Sequence, residues 1–404
     1  MNKICTNSRQ TLEQQFSIQY SFPVFFSHDI FREDDPLLAS VFSRAGEKSH
    51  TLLCFLDSGV LAERPSLIRR IENYAGKHPE TMSLPAPVFT VEGGEACKND
   101  PRIIDLLIQY IKEHRICRHS FIVAIGGGAV LDAVGYAAAI AHRGVRLIRI
   151  PTTVLAQNDA GIGVKNGINM EGRKNFIGTF APPFAVINDF SFLETLPARE
   201  LRSGIAEAVK VALIKDKVFF ASLFEKRADL ASFSPQSMED MIHRCAALHM
   251  SHIGGGGDPF ELGSARPLDF GHWSAHKLEE ITRGTLNHGE AVSVGMALDS
   301  LYSYYLGILQ ENELQQIFSL LGDLGLPLSH PALADLDVGA ALAEFQEHLG
   351  GGLAITLLTG IGSRKEVDRI DTSLMKRCIN ELLLHSGSED SDFPGYTPLC
   401  EELP

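Results

Sequence analysis

The chain has 404 residues, of which 45% are hydrophobic and 21% are charged, and its formal net charge is -14. This composition excludes an intrinsically disordered chain, and the length predicts two or three domains. The net negative charge argues against a nucleic-acid partner, which needs a basic surface, but a local basic pocket could still hold a small anion.

Seven cysteines are scattered along the chain, and none forms a Cys-x-x-Cys pair. Their odd number and their spacing are typical of reduced thiols in a cytosolic protein. Residues 1–19 are polar and do not resemble a signal peptide, and no apolar run reaches the roughly 20 residues that cross a bilayer. We therefore expect a cytoplasmic protein with no membrane partner.

Short apolar runs alternate with helical patterns through the first half of the chain. The predicted buried strands are 51–56, 120–125, 145–150 and 184–187, and the predicted helices are 103–114 and 130–141. Apolar strands separated by helices indicate parallel βαβ units. The sequence therefore predicts an α/β, Rossmann-like domain over residues 1–190.

The second half of the chain shows mainly helical patterns. The predicted helices are 199–214, 237–251, 272–282, 289–306 and 311–324. Residues 352–358 fit either a hairpin strand or a helix edge. We predict an all-α domain over residues 191–384, with a flexible loop at the glycine run 254–257. Residues 385–404, rich in serine, glycine, proline and acids, are predicted to be a disordered tail.

Three histidines in this helical half indicate a metal site. His272 and His276 are four residues apart, so a helix places them on one face. The pair Arg283-Gly284 offers a turn that could bring His288 back to them. Imidazoles gathered in this way suggest a metal ion beside a proton-transfer group. The alternative is three unrelated histidines, two of them on a solvated helix face.

Glu207 and Lys210 add an acid and a base to this half of the chain. Three residues apart on a predicted helix, they share one face. One glutamate with two histidines is a recognised catalytic zinc set with an open coordination position, and the lysine could hold an anion. The alternative is an ordinary surface salt bridge.

Glycines and threonines follow two of the predicted strands. Gly126, Gly127 and Gly128 lie between a strand and a helix, where backbone N–H groups and the helix dipole can bind a pyrophosphate. Their spacing is not Gly-x-Gly-x-x-Gly, so the common dinucleotide fingerprint is not present. Thr152 and Thr153 directly follow the next strand and could contact the same nucleotide.

A glycine-containing segment from 159 to 175 carries Lys165, Lys174 and Asn175. Two lysines and an asparagine suit a phosphate monoester. We interpret this segment as a substrate loop, with a solvated loop as the alternative.

These motifs, in this order, resemble the sugar phosphate cyclase superfamily, whose best-known member is 3-dehydroquinate synthase. The resemblance runs from about residue 57 to residue 290. It rests on Glu95-x-x-Lys98, the glycine turn with Asp132, Pro151-Thr152-Thr153, the 159–175 segment, Glu207-x-x-Lys210, Gly271-His272-x3-His276-x2-Glu279 and His288-Gly289-Glu290.

The resemblance implies a role for each matching residue. The implied metal ligands, for zinc or alternatively cobalt, are Glu207, His272 and His288. The implied NAD-contacting residues are Asp57, Glu95, Lys98, Gly126, Gly127, Gly128, Asp132, Thr152, Thr153, Lys174 and Thr195. The implied catalytic residues are His276, Lys210, Lys165 and Glu279. The implied substrate-binding residues are Arg143, Asp159, Lys165, Lys174, Asn175, Lys210 and His276. Arg266, adjacent in sequence to the position of a family arginine, is a further candidate. Arg143 would come from a neighbouring subunit, which implies a homodimer.

Departures from the family pattern bear on the substrate. Ser251 and Ala265 stand where a 3-dehydroquinate synthase typically has the lysine and arginine that grip the substrate's carboxylate. We therefore expect a substrate with no carboxylate there. The segment is similar to the members that cyclise sedoheptulose 7-phosphate, the 2-epi-valiolone synthase type above all. A neutral polyol end needs hydrogen-bond acceptors, and the chain offers Asp258, Glu261 and Asp269.

The predicted function is an NAD- and metal-dependent lyase that eliminates phosphate from sedoheptulose 7-phosphate and forms a valiolone-type cyclitol, 2-epi-valiolone. Three alternatives stay open at this point. They are a true 3-dehydroquinate synthase, a metal-dependent polyol dehydrogenase of the glycerol dehydrogenase type, and a non-catalytic protein that keeps the scaffold.

Overall fold

The computed structural model describes residues 12–46, 49–171, 173–255, 260, 267–348 and 352–385. The predicted tail, apart from its first residue, therefore lies outside the described residues. Residues 256 and 257 of the glycine run, and the predicted substrate residues Asp258, Glu261 and Arg266, also lie outside them.

The first half of the chain alternates strands and helices, as predicted. The strands are β1 (Val24–Ser27), β2 (His50–Asp57), β3 (Met82–Ser83), β4 (Phe89–Val91), β5 (Phe121–Gly126), β6 (Arg146–Pro151), β7 (Lys165–Met170), β8 (Arg173–Phe180) and β9 (Ala185–Asp189). The helices are α1 (Leu37–Ser43), α2 (Ser58–Glu63), α3 (Leu67–Lys77), α4 (Ala96–Asn99), α5 (Pro101–Glu113) and α6 (Gly128–Ile140).

Seven strands form one parallel sheet in the order β1-β9-β6-β5-β2-β3, with β4 also paired to β2. Every residue of β5 is buried, which explains its continuous apolar sequence. In the register, Leu56 pairs with Ile125 and Gly126 pairs with Pro151. The carboxyl ends of β2, β5 and β6 therefore meet at one edge of the sheet, where ligands bind in open α/β folds.

Residues 165–180 form an antiparallel hairpin, β7–β8, where the sequence predicted a loop. The prediction failed because β8 is mostly exposed and rich in polar residues, so it has no apolar strand signature. The hairpin packs against α6. A Cβ added to Gly135 of α6 would lie 1.9 Å from Oδ1 of Asn166, so only glycine lets β7 approach so closely.

The second half of the chain is helical, and the predicted helices are present with small shifts at their ends. The helices are α7 (Ala198–Lys215), α8 (Lys217–Glu225), α9 (Arg227–Ala231), α10 (Pro235–Gly255), α11 (His272–Ile281), α12 (His288–Tyr305), α13 (Glu311–Asp323), α14 (Val338–His348) and α15 (Thr372–His385). A hairpin of β10 (Ile355–Gly360) and β11 (Ser363–Val367) settles the open assignment of residues 352–358.

Two predicted boundaries differ from the structure. Helix α10 continues through Gly254 and Gly255, which were predicted to be loop, and α15 includes residue 385, which was assigned to the tail. The α/β region followed by a helical region confirms the predicted fold class, while the domain boundary near residue 190 stays a prediction. No helix in the described ranges is long and apolar enough to cross a membrane.

Candidate metal and nucleotide site

Helices α7, α11 and α12 bring Glu207, His272 and His288 together. Oε1 of Glu207 lies 3.6 Å from Nε2 of His272 and 3.4 Å from Nε2 of His288, and the three ligand atoms lie within 4.8 Å of one another. Zinc bonds of about 2.0–2.2 Å at tetrahedral angles separate two ligands by roughly 3.4 Å. The donor set and its spacing therefore fit a divalent metal ion, and we call Glu207, His272 and His288 the metal group.

A tight turn returns the chain from α11 to α12. Arg283 and Gly284 adopt φ values of 51° and 75°, so the turn predicted from the sequence is present. Helix α12 then begins with a capping box, in which the Asn287 side chain accepts from the backbone N–H of Glu290 and the Glu290 side chain accepts from that of Asn287. This cap fixes His288 at the first helical position, facing Glu207.

Close backbone contact between α11 and α12 sets the distance between the two histidines. Gly271 caps α11 with a φ of 75°, in the left-handed region that favours glycine. A Cβ added to Gly295 of α12 would lie 2.0 Å from the carbonyl oxygen of Gly271. Glycine at position 295 therefore allows the start of α11 to lie directly on α12.

Asp299, a residue that the sequence analysis missed, anchors the start of α11. Its two carboxylate oxygens accept from Nε1 of Trp273 at 2.9 Å and from the backbone N–H of Gly271 at 3.1 Å. Burial raises the pKa of Asp299 to about 7. The feature of the sequence that could have revealed this role is an acidic residue within the mostly apolar helix α12.

The ring of His272 is also held by its own backbone. Its Nδ1 lies 3.0 Å from the carbonyl oxygen of Phe270, which favours the tautomer with the proton on Nδ1. The Nε2 lone pair is then directed at the metal group, as is common for metal-binding histidines. Burial and the nearby Lys210 charge keep the pKa of His272 well below its ordinary value, so the ring is neutral.

The charges around the group favour a cation at its centre. Burial alone would raise the pKa of Glu207, but the Lys210 ammonium, in direct contact, and His288 bring it to about 2. Burial opposes protonation of His288, yet its contacts with Glu207 and Glu279 raise its pKa to about 10. Two buried carboxylates thus attract positive charge, which a divalent ion would supply in place of the His288 proton.

Glu279 joins the metal group to the β7–β8 hairpin. Its Oε1 lies 3.4 Å from Nδ1 of His288 and 3.1 Å from Nζ of Lys174. The ring of His276, on the same helix, lies 5.4 Å from that of His272 and 6.4 Å from that of His288. The predicted catalytic residues Glu279 and His276 therefore line the metal group.

The glycine turn at the end of β5 has the features of a pyrophosphate site. Helix α6 begins with Gly127 as its cap and no side-chain cap bond, so its first N–H groups can face a ligand. A Cβ added to Gly126 would lie 3.0 Å from Cβ of Asp57, and one on Gly127 would lie 3.4 Å from the methyl of Thr153. This close approach of backbone and side chains fits the pyrophosphate of a dinucleotide.

The comparisons with known proteins agree with this geometry. The N-terminal domain of 3-dehydroquinate synthase matches residues 88–203, and its C-terminal domain matches residues 204–347. The chain belongs to the 3-dehydroquinate synthase family of sugar phosphate cyclases. This confirms the predicted superfamily and its enzyme class, carbon–oxygen lyases that act on phosphates.

Two relatives represent the two activities that the sequence analysis weighed. The 3-dehydroquinate synthase of Sulfurovum sp. is 35% identical over 320 residues, covering 76% of this chain and 87% of the relative. The 2-epi-valiolone synthase of Actinosynnema mirum is 34% identical over 278 residues, covering 68% and 72%. Identity alone does not separate these activities.

A solved structure of a 2-epi-5-epi-valiolone synthase from Streptomyces hygroscopicus, with NAD⁺ and Zn²⁺ bound, superposes with a TM-score of 0.82. It is 28% identical to this cyclase, and the match covers 93% of this chain and 100% of that protein. The superposition supports the fold over nearly the whole chain.

A polar network in the cyclase connects residues near the glycine turn, where we expect the nucleotide, to the β7–β8 hairpin. Nζ of Lys98 donates to Oδ2 of Asp132 at 2.8 Å and contacts Oδ1 of Asn175. Asn169, which the sequence analysis missed, donates to Oε1 of Glu95 at 2.7 Å and accepts from the backbone N–H of Asn175 at 2.8 Å. The predicted nucleotide and substrate residues are therefore in direct contact.

A second missed residue, Arg149, holds the segment that leads to Lys165. Its fully buried guanidinium donates to the carbonyl oxygens of Gly163 at 2.7 Å and Lys165 at 2.9 Å, and to Oδ1 of Asn166 at 2.6 Å. An arginine inside an apolar strand was the available signal, since a buried charge needs specific partners.

Asp269 ends the short 3-10 turn that precedes α11, and its charge acts on Lys210. Two other predicted residues lie at the margins of the site. Thr195 is exposed, with its hydroxyl 3.5 Å from Nε of Arg64. Arg143 is exposed beyond the end of α6 opposite the glycine turn, so this chain's own site does not include it.

Proposed function

We propose that this cyclase converts sedoheptulose 7-phosphate to a valiolone-type cyclitol, 2-epi-valiolone, using NAD and a divalent metal ion. The observation that carries the proposal is the buried Glu207–His272–His288 group, with Lys210 in contact, inside a 3-dehydroquinate synthase fold. Zinc is the expected metal and cobalt the alternative, since both accept this donor set.

When bound, NAD would take up and return a hydride, and the metal ion would polarise a substrate oxygen. The open start of α6 and the side chains of Asp57, Thr152 and Thr153 would bind the nucleotide. Lys98 and Asp132, which form an ion pair, would line another side of the nucleotide site. Oxidation of one ring hydroxyl acidifies the neighbouring C–H, which permits β-elimination of phosphate; reduction, ring opening and an intramolecular aldol step then form the carbocycle.

The lysines of the site would bind the substrate's phosphate and hydroxyls. Lys174 extends from the hairpin and contacts Glu279, while Lys210 is buried beside the metal group. Lys165, at the start of β7, would complete this set. His276, close to both metal-group histidines, would transfer the proton as phosphate leaves.

The choice of substrate rests on Ser251 and Ala265, which offer no cation for a carboxylate. The likeness to valiolone synthases supports the same choice. The exposed Arg143 would complete the phosphate site of a partner in a homodimer. The second candidate, 3-dehydroquinate synthase activity, is favoured by the Sulfurovum relative. No observation favours the dehydrogenase alternative.

The test supplies sedoheptulose 7-phosphate to the zinc-loaded protein with NAD and follows inorganic phosphate and NADH absorbance together. We expect phosphate release with no net NADH, because the hydride returns within one turnover. Removal of the metal by a chelator should stop the release. Accumulation of NADH in step with turnover would contradict a cyclase and would indicate a dehydrogenase.

A further inference from the structure

A buried histidine outside the predicted site, His249, forms a pair with Asp159. His249 lies on α10 and is 8% exposed. Its Nδ1 lies 3.0 Å from Oδ1 of Asp159, an ion-pair distance, but the two groups are not aligned as a hydrogen bond. A rotation of the ring that let the carboxylate accept from Nδ1–H would leave Nε2 as an acceptor.

The pair lies beside the site rather than on a remote surface. The segment Ala156–Ala160, which carries Asp159, packs against α10 and also against α7, the helix of Glu207 and Lys210. Burial and the Glu207 charge raise the pKa of Asp159, but the His249 contact and the Lys210 charge bring it to about 2. A Cβ added to Gly163 would lie 3.9 Å from Nε2 of His249. The imidazole therefore extends from Asp159 toward the segment that leads to Lys165.

We infer that His249 and Asp159 together bind a hydroxyl of the neutral end of the sugar, with Nε2 of His249 and the carboxylate of Asp159 as the two acceptors. This inference rests on the proposed function, which it deepens by assigning His249 as a residue that selects a hydroxyl over a carboxylate. His249 is then a substrate-binding residue, and Asp159 both orients it and contacts the sugar.

The chemistry of the pair suits a hydroxyl and disfavours a carboxylate. A hydroxyl can donate to either acceptor, whereas a substrate carboxylate would find no donor at Nε2 of His249. Asp159 matches the family pattern, so the choice between the two sugars at this place would depend on His249. The cations Lys210 and Lys174 instead suit the phosphate and the remaining hydroxyls.

Two substitutions separate the two ring nitrogens. In His249→Asn the amide nitrogen can replace Nδ1 and keep the Asp159 contact, but the Nε2 position is lost. In His249→Gln the amide reaches the Nε2 position instead. A matched control is His243→Gln, which changes an exposed histidine of the same helix whose ring contacts Phe26.

The assay is phosphate release from sedoheptulose 7-phosphate by the full zinc- and NAD-loaded protein, with zinc stoichiometry and NAD affinity measured in parallel. We expect His249→Asn to raise KM by about tenfold or more and His249→Gln to recover most of that loss, because a missing partner for a substrate hydroxyl is costly. The control, zinc content and NAD affinity should stay at the wild-type level.

The inference is overturned if His249→Asn leaves KM unchanged. It is equally overturned if both His249 variants lose activity together with zinc content or thermal stability, since the role is then structural. Either result leaves the proposed function intact as long as the wild type releases phosphate from sedoheptulose 7-phosphate. A wild type that acts only on the carboxylated heptulosonate phosphate would refute the proposed function itself.

Discussion

At the scale of single residues, the site depends on charges that are buried together. Glu207, Lys210, His288 and Glu279 are each close to an opposite charge, so removal of one leaves its neighbour uncompensated. The protonation of His288 therefore depends on whether the expected metal ion is bound beside it.

Glu207→Gln should lower zinc affinity by about 100-fold or more, because it removes the anionic ligand and leaves Lys210 without its partner. The measurement is zinc content after dialysis against a buffered free-zinc series. Glu280→Gln is the matched control, since Glu280 is exposed on α11 and pairs with Lys277. Equal zinc content in the two variants would contradict the assignment of Glu207 as a ligand.

Asp299→Asn should change how stability depends on pH. The folded pKa of Asp299 is raised to about 7, above its ordinary value of 3.8. The folded state therefore holds a proton that the unfolded state releases, so this group's contribution falls as pH rises from about 4 to about 7, by roughly 1.4 kcal/mol per unit. The asparagine variant should lack this decline.

The comparison is made by urea unfolding of both proteins at pH 5, 6, 7 and 8.5. The wild type should lose stability relative to the variant over this interval and keep a constant difference above it. A difference that does not change with pH would mean that Asp299 titrates normally.

At the scale of elements, the approach of α11 to α12 decides whether the two histidine ligands meet. Gly295→Ala would place a methyl group 2.0 Å from the Gly271 carbonyl oxygen, which must push the helices apart. We expect a loss of stability of about 1–3 kcal/mol and a fall in zinc affinity of about tenfold or more.

The control for this change is Gly322→Ala, on the exposed side of α13, where an added Cβ meets nothing within 4 Å. Its stability should be unchanged or raised by about 0.5–1 kcal/mol, because alanine favours a helix. Zinc binding by Gly295→Ala at wild-type affinity would show that the helix spacing does not determine the site.

The elements also show what a sequence can predict. Parallel strands place Asp57, Gly126 and Thr152 at one edge wherever their strands pair, so periodicity was enough to group them. The β7–β8 hairpin was missed because its polar, exposed outer strand lacks an apolar repeat. Arg149 and Asp299 stand out in the sequence as charges within apolar elements, but their partners, like the partner of His249, lie in distant segments that local patterns do not identify.

At the scale of the whole molecule, we propose that a nucleotide, a metal ion and a set of lysines act together at one site. Asn169 of the hairpin donates to Glu95, a residue that we expect to contact the nucleotide. Glu279 contacts both Lys174 of the hairpin and His288 of the metal group. The proposed reaction removes a hydride from the substrate and later returns it, so these residues must keep the substrate bound at one place throughout.

The most direct test of this account compares two sugars with the same protein. The values of kcat/KM for phosphate release are measured for sedoheptulose 7-phosphate and for the carboxylated heptulosonate phosphate, with zinc and NAD saturating. We predict a preference of about 100-fold or more for the neutral sugar, because Ser251 and Ala265 supply no cation for a carboxylate. A preference for the carboxylated sugar would contradict the account and would make the protein a 3-dehydroquinate synthase.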